Sequence, residues 1–548
     1  MQWMRARPAR GTAARVPVIA GVLAVLLMAA RLLLPVPVGM ANNGDAVRLM
    51  CQIGANSHSP PWQTSELFFA RFWYPFLRPE AGPPCLHYPT TQVLQMWLTA
   101  WVHQHVLGLP GVIDMRELIV EYCVLAGVVM AIAARLLAAL RPAVRILILI
   151  MLFLVLSEAT FADYAASPFT ETAALYGMLV FAIAGVAVAA RARGYRAAYL
   201  VAWASAVLAV GAKTETTTLA LPLALFLGSH RFPADGGRGW SGGRLIPGLC
   251  VLSLAMTVYW SVSREPLNDV RANSGNELTM TIMPMVPDPG AVAAGLGLPR
   301  AFGRYSGTIW WSAHPIENDP AYSRYAGRFT QANLAHYLIG HPGLTARIFA
   351  SGADPYLIFR NSNLGSYPID SGHAPRSQEC RDCLLMDVSR AMRWTGLSGV
   401  LAYWIACLAG AGLLLRRSRW GDRERGFGLV ALVLIGCTVI QYVTAVYGEG
   451  NEVIKHMVIA LFTASIAPIW LLAGALHKLP LAGLSLGCGE QEADLVVGAE
   501  HARAPQLHQP ASPGRASFRN GQIAPYKRGV TGSNPVAPTR SEHISPWA

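Results

Sequence analysis

Four short stretches of this chain carry residues able to do acid–base or anion-binding chemistry. The first is Asn42-Asn43-Gly44-Asp45, with Arg48 close behind it. It follows directly on an apolar run, so Asp45 stands just past the end of a candidate membrane helix. Gly44 and the two asparagines suit a tight turn there. A carboxylate held at that point can take a proton from a sugar hydroxyl or bind a metal, and its plainer use is to cap the turn. The second stretch, from Ser157 to Thr172, contains Glu158, Asp163 and Glu171 in otherwise apolar sequence. Carboxylates in such a setting are costly and usually functional, although Glu171 at a helix start also complements the helix dipole. The third is the polar tip Lys213-Thr214-Glu215 between two apolar runs, where the lysine can meet a lipid phosphate or pair with Glu215. The fourth runs from Gly448 through Glu449 and Glu452 to Lys455-His456. In a helix starting near Asn451, the side chains of Glu452, Lys455 and His456 share one face. They can receive a phosphate leaving group or satisfy one another as an internal ion pair.

The elements that position these residues are membrane helices. The chain is 53% hydrophobic and only 14% charged, against about 25% charged in soluble domains. Its apolar residues fall in runs near the ~20 residues a span requires. These lie at 16–38, 117–139, 143–158, 172–190, 245–262, 396–415, 427–446 and 453–476. Residues 197–228 read as a helical hairpin with Lys213 and Glu215 at its tip. The expected fold is an all-α polytopic membrane protein, a bundle of about ten transmembrane helices with both termini on one side. The first run ends in Pro35-Val36-Pro37 rather than at a small-residue cleavage site, which predicts a retained helix and not a removed signal. Residues 91–107, with Trp97 and Trp101, predict an amphipathic helix lying at the interface.

The net charge is +13, yet it does not point to nucleic acid, since no basic stripe is interleaved with stacking aromatics. The arginines instead cluster at the ends of apolar runs, as the positive-inside rule requires of cytoplasmic loops. Arg135, Arg141 and Arg145, then residues 191–196, 230–244 and 416–425, all fall on the cytoplasmic side in one register. That register places all four chemical stretches at the opposite, extracytoplasmic face. Two long outer loops follow, about 39–115 and 263–395, within a membrane domain spanning 1–479. Trp310, Trp311, Tyr322 and Tyr325 in the second loop suit stacking on sugar rings. Cys51, Cys85, Cys380 and Cys383 lie in these loops, where disulfides persist, and Cys380-Arg381-Asp382-Cys383 reads as a structural bridge rather than a redox or zinc motif. Cys123, Cys250, Cys407 and Cys437 lie in spans as small apolar residues. Residues 480–548 turn polar and lose periodicity. Gly532-Ser533-Asn534-Pro535 can be encoded by the T-arm of a tRNA gene, and this tail is expected to carry no chemistry.

An acidic residue in the first outer loop of a many-spanning protein resembles the GT-C superfamily of membrane glycosyltransferases, and within it the bacterial surface-glycan hexose transferases called WsfD-like. The resemblance rests on Asn43-Gly44-Asp45 with Arg48, on Tyr164 to Glu171, on Ala212-Lys213, and on Gly448 through Lys455-His456. It implies a polyprenyl-phosphate-linked sugar donor, a glycan or glycolipid acceptor, and a site facing away from the cytoplasm in the plasma (inner) membrane. It makes Asp45 the catalytic carboxylate. Arg48, Asp163, Glu171, Lys213, Glu452, Lys455 and His456 become candidates for substrate binding, and the transfer is expected to invert the sugar. Many GT-C enzymes carry two adjacent acidic residues where this chain has Gly44-Asp45, so no cofactor or obligate metal is expected. A lipid-linked-sugar flippase predicts midplane charges and a two-fold repeat of broken helices, neither of which is apparent. A glycan polymerase or ligase would use the same donors at the same face, whereas a non-catalytic scaffold has no need of charges gathered at one end.

Overall fold

The computed structural model describes residues 12–39, 45–55, 73–75, 88–109, 111–230, 242–362, 364–368, 371–374, 377–418 and 422–477. The tail beyond 480 and Cys85 lie outside the described residues, and of Asp45 only the backbone is described.

Helices dominate because the apolar runs satisfy their backbone internally, as a lipid environment demands. Among the described residues, seven helices are long and apolar enough to cross a membrane: Arg15–Leu33, Arg116–Ala139, Glu171–Ala189, Gly243–Ser263, Leu384–Arg417, Arg423–Gly448 and Val453–Leu476. An eighth is bent by 53° between Pro142–Ser157 and Ala159–Ala166. The bundle of about ten helices expected from the sequence counts these together with the two arms of a hairpin at 197–228. The hairpin at 197–228 consists of a 16-residue helix, Tyr195–Val210, and a 10-residue helix, Ala220–Ser229, joined by a 3-10 turn over Thr214–Leu219. Both arms are shorter than the ~20 residues of a standard span.

Glu171–Ala189 is the central helix, with 94% of its apolar window buried. Around it pack Tyr195–Val210, Arg423–Gly448 and Val458–Leu476. The N-terminal helix lies along Arg116–Leu136 at backbone contact. A Cβ on Gly21 would meet the Gly127 carbonyl at 2.9 Å, and one on Gly127 would meet Gly21 at the same distance. Close glycine crossings of this kind replace hydrophobic driving force in membranes. The basic turns gather at one end of the bundle, where Arg135, Arg193 and Arg423 line a single recess.

At the other end lie the connecting segments. Gln92–Trp101 continues into a π-turn over Val102–Val106. Its Leu94, Trp97, Leu98 and Trp101 are exposed while Met96 and Ala100 are buried, the amphipathic pattern read from the sequence. Trp73–Pro75 pairs antiparallel with Val112–Asp114. Between Ser263 and Leu384 short helices pack into a small subdomain. Trp310 sits in its core, 2% exposed and edge-on to Tyr322 and Phe329. It is a packing residue and not the sugar platform expected of it. Cys380 and Cys383 form a disulfide, while Cys123, Cys250, Cys407 and Cys437 are free and buried.

Candidate functional site

Lys213 is the hub of the end opposite the arginines. The segment before Gln92 fixes its turn: Thr90 donates to the Ala212 carbonyl at 2.6 Å, Thr91 to that of Leu208 at 2.6 Å, and the Thr91 amide to that of Gly211 at 2.8 Å. The Lys213 amide in turn donates to Thr216 Oγ1 at 2.9 Å. Its ammonium then lies 3.3 Å from Glu171 Oε1 and 3.1 Å from Glu215 Oε1. It also lies 3.3 Å from His456 Nδ1.

His456 is buried between two carboxylates. Its Nδ1 is 2.8 Å from Glu215 Oε2, and its Nε2 is 2.8 Å from Glu449 Oε2. The Val453–His456 turn begins two residues later than the Asn451 start read from the sequence, because Glu452 adopts a left-handed backbone (φ 50°) ahead of it. Glu452 still reaches Lys455, at 3.2 Å. Lys455 lies over the Phe169 ring, 5.1 Å from its centroid. Lys455 directly precedes His456 in the chain, which ties this pair to the hub.

The site continues toward the first loop. Arg48, on the Asp45–Met50 helix, bonds Asp269 at 3.1 Å and lies 5.5 Å from the centroid of the Tyr88 ring. Burial raises the Tyr88 hydroxyl well above its ordinary value, with Lys213 opposing that rise and Glu265 and Glu215 adding to it. Glu265 sits between the two halves of the site. Burial pushes its carboxyl up to about 7; Asp269 and Glu215 add to this, and Lys213 and Arg48 oppose it.

Arg48, Glu171, Lys213, Glu452, Lys455 and His456 are therefore brought into one constellation. Asp45 opens the helix that carries Arg48, and its side chain lies outside the described residues. Asp163 goes elsewhere. It is fully buried between Arg31, at 3.0 Å, and Arg360, at 2.5 Å, with Glu379 completing the network 2.6 Å from Arg31. Glu158 likewise accepts the Leu385 amide at 2.8 Å. Both acids are spent on structure.

Sequence reasoning left four contributors out of the site. Glu215 and Glu449 were visible only as partners of Lys213 and as part of the Gly448–His456 stretch. Glu265 and Tyr88 lie in loops where one more polar residue gives no contrast.

The family model of the YfdI N-terminal transmembrane domain matches residues 5–482. No curated protein and no solved structure matches the chain.

Proposed function

This chain belongs to the YfdI N-terminal transmembrane domain family, and from that premise we propose that it is a GT-C-type glycosyltransferase moving a hexose from a polyprenyl phosphate to a surface glycan or glycolipid. One observation carries the reading. Charged residues from five separate segments, around Arg48, Glu171, Lys213, Glu265 and His456, converge at one end of a membrane bundle, while the arginine-rich turns gather at the other. By the positive-inside rule the charged site faces away from the cytoplasm, which suits the plasma membrane with the N-terminus inside.

In this reading Asp45 takes the proton of the acceptor hydroxyl as its oxygen bonds the anomeric carbon. The bond from that carbon to the phosphate oxygen breaks in the same step, inverting the centre and releasing the lipid phosphate. Lys213, Lys455 and His456, with Arg48 across the site, stabilise the negative charge that grows on the leaving group. Glu171 and Glu215 hold Lys213 in place. An apolar groove lined by Leu154, Leu357, Leu384, Tyr403, Leu461 and Pro468 offers the isoprenoid a bed. It begins on the Val453–Leu476 helix about one and a half turns beyond Lys455-His456.

The test is a transfer assay on the purified chain in nanodiscs, with polyprenyl-phosphate hexoses as donors. Asp45→Asn is expected to lose about 100-fold to 10,000-fold in turnover, the range for a positioned general base. Normal turnover by a folded Asp45→Asn protein sinks the catalytic assignment. Movement of intact donor across the bilayer without transfer overturns the transferase reading in favour of a flippase.

A further inference from the structure

The arginine end of the bundle holds a cavity as well as a charge cluster. Arg135, Arg193 and Arg423 line a recess of about 450 Å³, and they come from three different segments. Arg135 lies in the last turn of the Arg116–Leu136 helix. Arg193 lies in the turn after the central helix, and Arg423 opens the Arg423–Gly448 helix. That turn is tight because Arg191 (φ 46°) and Gly194 (φ 84°) both adopt left-handed backbone, which sets Arg193 beside Ala190 in the recess wall.

Arginines that only mark the cytoplasmic side need water around them and nothing more. These three are placed otherwise. Among the described residues none of them pairs with a carboxylate. Of the acids adjacent to Arg423, Glu424 is buried 3.6 Å from His477, and Asp422 stands at the N-cap of the helix. The arginines gather instead around apolar walls that include the buried Val186 and Phe427. Like charges around one cavity repel one another until an anion sits among them.

The recess also opens onto the apolar surface of the bundle. Its wall includes Ile132, which is about half exposed. Val120, Val124 and Val128 are exposed to the same degree, and a spacing of four residues places them with Ile132 in one stripe along the helix. At 1.5 Å per residue the stripe runs about 18 Å, enough to cross the ~15 Å of hydrocarbon in one leaflet. An acyl chain can therefore lie along it while the headgroup phosphate reaches the arginines. An apolar track leading into a basic pocket selects a lipid over a soluble anion.

We propose that the recess lined by Arg135, Arg193 and Arg423 binds the headgroup of an anionic phospholipid in the leaflet on the arginine side, with one acyl chain along the stripe from Val120 to Ile132. Arginine suits this ligand because its planar fork donates two parallel hydrogen bonds to a phosphate. Seated there, the lipid ties the Arg116–Leu136, Glu171–Ala189 and Arg423–Gly448 helices together at the end opposite Lys213. The site stands whether or not the transferase reading does.

The experiment is native mass spectrometry of the full-length chain, delipidated in detergent and titrated with phosphatidylglycerol or with phosphatidylcholine of the same chain length. Phosphatidylglycerol is expected to bind about tenfold tighter or more, the scale of two or three arginines acting on an anionic lipid. In Arg193→Gln/Arg423→Gln the preference is expected to fall to about twofold or less. Arg416→Gln/Arg417→Gln removes the same charge at the end of the preceding helix, outside the recess, and is expected to keep the preference. Thermal melts show that each variant is folded, and Arg193→Gln alone, on an exposed turn, gives the same readout at smaller amplitude. A wild type without preference for phosphatidylglycerol overturns the proposal, and so does an equal loss in the two double variants. Displacement of the lipid by glycerol 3-phosphate at equal concentration overturns it too, in favour of a site for soluble phosphate.

Discussion

Glu265 shows how much of the site's behaviour is set by single residues. It sits just past the Gly243–Ser263 span, where burial, reinforced by Asp269 and Glu215, lifts its carboxyl from the ordinary 4.5 to about 7. Between those two values the folded chain holds a proton that the unfolded chain has released. Stability therefore falls as pH rises through that window. Thermal melts of the purified protein from pH 4.5 to 7 are expected to show that decline, and Glu265→Gln is expected to flatten it. A slope unchanged in Glu265→Gln places the titration on another group. At this scale the sequence was legible where a charge interrupts an apolar run, as at Glu171, Lys213, Lys455 and His456. It was opaque at Glu265, because an acid in a polar loop looks like any other until the fold buries it.

At the scale of elements, Asp163, expected among the substrate-binding residues, acts as a fastener. Asp163 joins Arg31 of the first helix to Arg360 of the outer subdomain. Beside it, Arg381 donates to the carbonyls of Arg31 and Val36 at 2.5 and 2.6 Å, and the Asp382 carbonyl accepts the Ala159 amide at 2.7 Å. The short loop closed by Cys380–Cys383 thus gathers the first helix, the bent helix and the subdomain at one point. Removing one partner of a buried ion network costs about 3–5 kcal/mol. Asp163→Ala is expected to lose stability on that scale in chemical denaturation. A loss of activity without loss of stability would return Asp163 to the substrate site. Nothing in the local sequence separates Asp163 from Glu171, eight residues on. Their fates diverge because the bent segment carries one toward the arginines and the other to the start of the central helix. The hairpin at 197–228 forms as read, with Lys213 at its tip. Its polar tip meets His456, and its two arms are short.

For the molecule as a whole, alternation of basic and acidic turns along the chain determines the architecture. Each successive helix returns the chain to the opposite end, so the arginine-rich turns share one recess while the charged site assembles at the other end. That much was readable from arginine positions alone, because sidedness depends on charge count and not on packing. The meeting of the first loop, the hairpin tip and the last helix in a single constellation was not readable, since it depends on contacts such as those of Thr90 and Thr91 with the 208–212 backbone. The account's central claim is that this constellation drives the departure of a lipid phosphate. It is tested most directly by measuring release of polyprenyl phosphate from a polyprenyl-phosphate hexose, in the presence of acceptor lipid, by wild type and by Lys213→Met. The account predicts acceptor-dependent release by the wild type, slowed about 100-fold or more in a folded Lys213→Met protein, the scale of one lost transition-state contact. Equal rates in the two proteins, or no acceptor-dependent release from any donor tried, would contradict it.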